Sequence, residues 1–227
     1  MIVTYWSDFS CPFCYIAEAR IRRAMREMGI TEQCRMDFKS FRLNPMAKIV
    51  PSHPIFDSYA KRYGPESARM QIERIDEMAA GEGLDFHYGT ALNSNTMDAH
   101  RLTKHAYSIG RDFGDRFADR LCEAFFRENR VLADHNVLLD IADEMGMDHD
   151  EAVSVLDSLK YKEQVLADEG EAHSYGITAV PFFIVNGRYG IPGAVDIEDF
   201  KRILKAALDE EDAESVEGSV CGPDGCR

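Results

Sequence analysis

Strand-like patterning occurs only at the two ends of this chain, and the long stretch between them has helical periodicity. The run Ile2-Val3-Thr4-Tyr5-Trp6-Ser7 is β-branched and aromatic, and alternating residues from Met36 through Leu43 form a second candidate strand before the breaker Pro45. Between them Cys14, Ala17, Ile21, Ala24, Met25 and Met28 recur at helical spacing, and Gly29 closes that helix. At the far end Phe182-Phe183-Ile184-Val185 leads into Asn186-Gly187, a two-residue hairpin signal, with Tyr189 to Ile191 as the returning strand. A last helix is predicted over residues 196–208, with Phe200, Ile203, Leu204 and Ala207 on one face. This order is that of a small α/β sheet interrupted by a helical insertion.

The insertion is predicted over residues 55–175, where Phe113, Phe117, Leu121 and Phe125 form one apolar stripe. Val137, Leu138, Ile141 and Met145 form another behind an Asp134 cap. Such stripes explain packing and carry no chemistry. The expected organisation is residues 1–45 and 176–210 as one α/β unit, residues 46–175 as an inserted helical lid or subdomain, and residues 211–227 as a flexible acidic tail. Asp and Glu number 40 against 26 Lys and Arg, a formal charge of −14, which disfavours nucleic acid and anionic membranes as partners. The N-terminus lacks a basic segment followed by an apolar one, so the expected location is the cytoplasm.

Six cysteines are present, and only Cys11 with Cys14 and Cys221 with Cys226 stand close together. Cys34 and Cys122 are expected to behave as small apolar side chains. Cys11 falls where the first strand gives way to the first helix, so its sulfur is expected to face unpaired N–H groups and the positive helix end, which favours the thiolate. Cys14 comes one turn later and is expected to be the more buried thiol, poised to resolve a mixed disulfide. Pro12 suits a first helical position, and Phe13 adds no charge. The competing structural role is half of a zinc site, but Cys14 continues an amphipathic helix and lies outside any knuckle loop, so no metal is expected. His100 and His105 share a candidate helix with no carboxylate partner visible in the sequence, which makes packing the expected role.

The run Trp6-Ser7-Asp8-Phe9-Ser10-Cys11-Pro12-Phe13-Cys14-Tyr15-Ile16 and the run from Gly176 to Val185 together resemble the DsbA-like thioredoxin superfamily, in its FrnE-type branch. Asn95, Thr96, Ala99, His100 and Arg101, then Tyr189, Gly190, Ile191, Gly193 and Ala194, follow in the same order as in that branch. The resemblance implies a thioredoxin fold with an inserted helical subdomain, Cys11 as nucleophile, Cys14 as resolving thiol and a cis Pro181 facing them. Val180 would offer its backbone to substrate, beside Phe13 and Pro12. The implied activity is thiol-disulfide exchange on protein disulfides, as reductase or isomerase. Its implied partners are disulfide-containing polypeptides and thioredoxin- or glutathione-type redox partners, and no cofactor is implied beyond glutathione as a reductant. The alternative is a glutathione-dependent isomerase or transferase of the 2-hydroxychromene-2-carboxylate isomerase or kappa-class type. Those proteins usually have serine where this chain has Cys11, which favours dithiol exchange.

Cys221-Gly222-Pro223-Asp224-Gly225-Cys226 encloses a turn sequence, and some FrnE-type proteins carry a similar tail. A second redox pair exchanging with Cys11 and Cys14, a metal-capturing pair and an inert tail all remain open. The relay predicts that truncation before Val220 alters disulfide turnover while leaving the melting temperature nearly unchanged; equal turnover would remove it.

Overall fold

The computed structural model describes residues 1–217. Four strands, β1 (Ile2–Ser7), β2 (Arg35–Ser40), β3 (Phe182–Val185) and β4 (Tyr189–Pro192), form one sheet in the order β2-β1-β3-β4. β1 pairs parallel with β2 and antiparallel with β3, and β4 closes the hairpin on β3. Parallel neighbours need a crossover, supplied by α1 (Pro12–Glu27). In its central place β1 buries Val3, Tyr5 and Trp6. Tyr5 meets Phe183 across β3 and Phe38 across β2, each at 5.7 Å between ring centres, an aromatic ladder that fixes the register of both pairings.

Between β2 and β3 lie α2 (Ile55–Tyr63), α3 (Pro65–Ala80), α4 (Met97–Ile109), α5 (Arg111–Phe126), α6 (His135–Met145), α7 (His149–Leu156) and α8 (Lys162–Ser174). Asp134 caps α6 by accepting from the Asn136 N–H at 2.9 Å, as its sequence position implies. These helices share a buried cluster with the sheet. Leu102, Phe117, Phe126 and Leu138 belong to the same buried cluster as Val3, Phe38 and Phe183 of the sheet. The stripes read from the sequence therefore join the same buried core as the sheet.

Three boundaries differ from the sequence expectation. β2 stops at Ser40: Phe41 N–H still reaches the Ser7 carbonyl at 3.1 Å, but the N–H groups beyond it turn away from β1, Arg42 to Glu169 and Leu43 to Asp8 Oδ2. In the hairpin, Asn186 and Gly187 both take the positive φ of a primed turn, at 50° and 69°, closed by Arg188 N–H to the Val185 carbonyl. Pairing resumes only at Val185 and Tyr189, so Arg188 is an extra residue and the loop has three. The last helix, α9 (Ile197–Glu217), runs past residue 208 and takes up the first part of the expected flexible tail. The acidic stretch contains no glycine or proline before Gly218, and Glu211 is tied to the Asn186 amide at 2.8 Å.

Arg101 holds the turn between α7 and α8. Its side chain is buried, and the guanidinium donates to the carbonyls of Lys160 (2.8 Å), Val155 and Ser158 and to Asp98. The Val155 carbonyl also accepts from Ser158, but orphaning the Ser158 and Lys160 carbonyls costs about 1–3 kcal/mol each. Arg101→Met is therefore expected to lower the unfolding free energy by about 3 kcal/mol or more in urea titrations.

Candidate active site

The carboxyl end of β1 delivers the loop that places both sulfurs. Cys11 is the N-cap of α1, in extended backbone at φ −91° and ψ 111°, and its N–H donates to the Asp8 carbonyl at 3.0 Å. Pro12 occupies the first helical position, where an N–H would have no intrahelical partner. The Cys14 N–H returns to the Cys11 carbonyl at 3.1 Å, so the helical turn itself brings the two side chains together. Opposite them the Val180–Pro181 peptide bond is cis, and the Cys11 thiol donates to the Val180 carbonyl at 3.6 Å. Trp6, Phe41, Ile177 and Val180 complete an apolar cluster around the two sulfurs.

Two expectations are corrected here. Cys11 makes no side-chain hydrogen bond to the helix N–H groups; its sulfur is turned to Val180 instead. Nor is there a contrast in exposure between the thiols, since Cys11 is 2% and Cys14 1% exposed. Burial first, then the hydrogen bond and charge of Cys11, hold the Cys14 thiol well above its ordinary pKa. Cys14 therefore rests as the protonated thiol.

A groove of about 510 Å³ opens beside the pair. One wall is Phe13, Val180, Pro181, Gly193 and Ala194; α2 and α3 supply the other through Tyr59, Gln71, Arg74, Ile75 and Met78. Phe13 and Val180 line this groove, whereas Pro12 is buried in the start of α1 and lines no part of it. Arg20 fixes the first wall from behind, donating to the Ala194 and Val195 carbonyls at 3.1 and 2.8 Å while paired with Glu82, two residues beyond α3.

Two buried carboxyls flank the loop. Asp8, 1% exposed, meets His100 Nε2 at 3.2 Å and accepts from Leu43 N–H at 2.8 Å and from Ser10. Burial would raise the Asp8 pKa, but the His100 hydrogen bond and charge, with the Leu43 N–H and Thr96, outweigh it and hold the carboxyl low. Sequence reasoning missed this pair because the two residues are 92 positions apart. The buried neighbour of His100 could be found only by folding the α4 segment onto the β1 loop. Glu18, one turn beyond Cys14 on the same helix face, accepts from Ser7 Oγ at 2.6 Å. Burial pushes its carboxyl up to about 7, against the lowering by Ser7 and Arg22. His105 faces Glu151 at 3.2 Å and Tyr161, away from the cluster around the sulfurs.

Cys122 is buried in α5, whereas Cys34 is half-buried just before β2; both are unbridged. Cys221 and Cys226 lie outside the described residues. No helix among the described residues is long and apolar enough to cross a membrane.

A family model described as the DSBA-like thioredoxin domain matches residues 2–205. The crystal structure of a probable DsbA oxidoreductase from Streptomyces coelicolor is 31% identical and covers 100% of this chain and 98% of its own, with a TM-score of 0.86. The uncharacterized protein YwbO of Bacillus subtilis (strain 168) is 26% identical over 214 residues, 92% of this chain and 96% of that protein. A 2-hydroxychromene-2-carboxylate isomerase shares the fold at 15% identity and a TM-score of 0.69, covering 97% of this chain and 100% of its own.

The raised Glu18 carboxyl makes stability depend on pH with an unusual sign. Because the folded protein holds this proton more tightly than the unfolded chain, its contribution is full below about 4.5 and is lost as pH rises through about 7. Glu18→Gln, which keeps the Ser7 hydrogen bond, is expected to exceed the parent in unfolding free energy by about 2–3 kcal/mol at pH 8 and to show no such gain at pH 4. Urea titrations at the two pH values check it.

Proposed function

The chain belongs to the DSBA-like thioredoxin domain family, and from that membership we propose that it is a thiol-disulfide oxidoreductase working through Cys11 and Cys14 on protein disulfides, as reductase or isomerase. The observation that carries the proposal is the placement of both sulfurs at the first turn of α1, with Cys11 facing the Val180 carbonyl beside cis Pro181.

In the proposed reaction the Cys11 sulfur attacks one sulfur of the substrate disulfide. The disulfide bond breaks, a mixed disulfide forms and the first substrate thiolate leaves. Cys14 then loses its proton and attacks Cys11, which releases the second substrate thiol and leaves a Cys11–Cys14 disulfide. Two electrons have moved from the protein to the substrate. Regeneration requires a thiol reductant of the thioredoxin or glutathione class, and in a reducing compartment such as the cytoplasm net flow runs towards reduction or isomerisation. No other cofactor enters the cycle.

The enclosure of Cys11 shapes how substrate engages. An incoming polypeptide must displace the contact between the thiol and Val180, and the freed Val180 carbonyl is then available to an extended peptide backbone. Backbone pairing of this kind accepts many sequences, as an enzyme acting on many protein disulfides needs. The order of roles follows from the sulfur that faces the Val180 carbonyl, which is that of Cys11, while the raised pKa of Cys14 suits a thiol that acts second.

Cys11→Ser is expected to reduce insulin reduction and the refolding of scrambled ribonuclease to the uncatalysed rate. Cys14→Ser should accumulate the mixed disulfide, visible as an adduct in intact-mass spectra. Turnover by the Cys11 variant equal to that of the parent removes the proposal.

A further inference from the structure

The groove beside the two cysteines has a chemical polarity that the exchange reaction does not require. Its α3 wall is built from Gln71, Arg74, Ile75 and Met78, positions spaced three, four and seven residues apart and so on one helix face. Ile75 and Met78 make the end of that face apolar, and Gln71 and Arg74 make the other polar. Glu73 and Glu77 do not line the groove, and Glu77, although three residues along the helix from Arg74, forms no ion pair with it.

Among the ten described residues that line the groove, Arg74 is the only charged one. It is exposed, and among the described residues it makes no ion pair or hydrogen bond. This is not for lack of acids, because the chain carries 40 of them against 26 Lys and Arg. The acid two residues beyond the same helix, Glu82, is already held by Arg20 at 2.8 Å and Arg23 at 3.3 Å. The fold thus places an unneutralised guanidinium across a groove whose facing wall is Phe13 and cis Pro181, within a molecule of formal charge −14. An arginine is suited to bind carboxylate through two parallel N–H bonds.

We infer that Arg74 is a specificity-determining residue that selects disulfides whose non-reacting portion carries a carboxylate, seated along the α3 wall while the disulfide meets Cys11. This inference rests on the oxidoreductase reading and adds a substrate class to it. The carboxylate has two chemical sources, an Asp or Glu side chain flanking a cysteine in a polypeptide and the terminal carboxylate of a small peptide disulfide such as glutathione disulfide. The reaction is unchanged: reduced Cys11 and Cys14 give two electrons to the bound disulfide, which leaves as two thiols, and the protein retains the Cys11–Cys14 disulfide.

The test is a single-turnover reaction of the pre-reduced full-length protein, quenched and resolved by chromatography. One arm uses a disulfide-bridged peptide with Asp beside the cysteine and the same peptide with Asn or Lys there. The other uses glutathione disulfide and its glycine-amide form. An exposed ion pair predicts a preference of about fivefold for the Asp peptide over the Asn peptide, falling as salt is added. Arg74→Gln is expected to equalise the two rates and Arg74→Glu to invert the preference towards Lys. A preference seen only in the peptide arm assigns the site to polypeptide acids, and one seen only in the glutathione arm assigns it to the small peptide. Equal wild-type rates in both arms, or an Arg74→Gln variant that keeps the wild-type ratio, overturns the inference while leaving the oxidoreductase reading intact. A wild type that reduces none of these disulfides overturns that reading and the inference with it.

Discussion

The pairing of β1 on both its edges is the interaction on which the rest of this molecule depends. Because β2 lies on one side and β3 on the other, the carboxyl end of β1 cannot drift. The residues that follow it, Asp8 through Cys11, are therefore presented at a fixed place beside the start of β3. The cis Pro181 stands immediately before β3, so the register of β1 against β3, from Val3 with Val185 to Trp6 with Phe182, is also what brings Val180 to Cys11. A slip of one residue in that pairing would turn Tyr5 and Phe183 out of the core and separate the sulfur from the carbonyl together.

The helices between β2 and β3 extend this arrangement. They share the core of the sheet, and they reach the site at two points with different chemistry. From α4, His100 enters beneath the loop and meets the Asp8 carboxylate, while the chain after β2 ties itself to the same carboxylate through Leu43. From α3 comes the groove wall opposite Phe13. The insertion therefore does two separable things: it locks the loop that holds Cys11, and it supplies half of the surface that a substrate would touch.

Much of this was legible in the sequence because the signals were local. The strand-to-helix junction at Cys11, the helical spacing after Cys14 and the Asn186-Gly187 turn each act within a few residues, and the resemblance supplied cis Pro181. What was not legible depended on distant partners. His100 was expected to pack with no carboxylate partner, and only α4 laid against the loop after β1 brings it to Asp8. The resemblance set Pro12 beside Phe13 at the substrate, yet the first turn of α1 buries Pro12 and leaves Phe13 exposed in the groove. The boundary at residue 210 failed for a related reason: an acidic run signals solvent exposure, and a solvent-exposed helix has the same composition as a mobile tail.

The two buried carboxyls near the cysteines show why burial alone does not determine charge. Both are almost wholly enclosed, and the desolvation cost acts on both in the same direction. Asp8 is surrounded by donors, the His100 ring, the Leu43 N–H and the Ser10 hydroxyl, and these outweigh desolvation and keep it anionic. Glu18 has Ser7 Oγ and the charge of Arg22 in its favour but faces Asp119, and there desolvation wins. The consequence for the sulfurs is asymmetric. Asp8 acts on the site through the backbone, since its carbonyl receives the Cys11 N–H while its carboxylate holds the loop in place. Glu18 acts through its charge, because once ionised it adds to the burial that already keeps Cys14 protonated. One acid thus holds the first cysteine in position, and the other adds to the burial and the Cys11 contact that raise the proton affinity of the second.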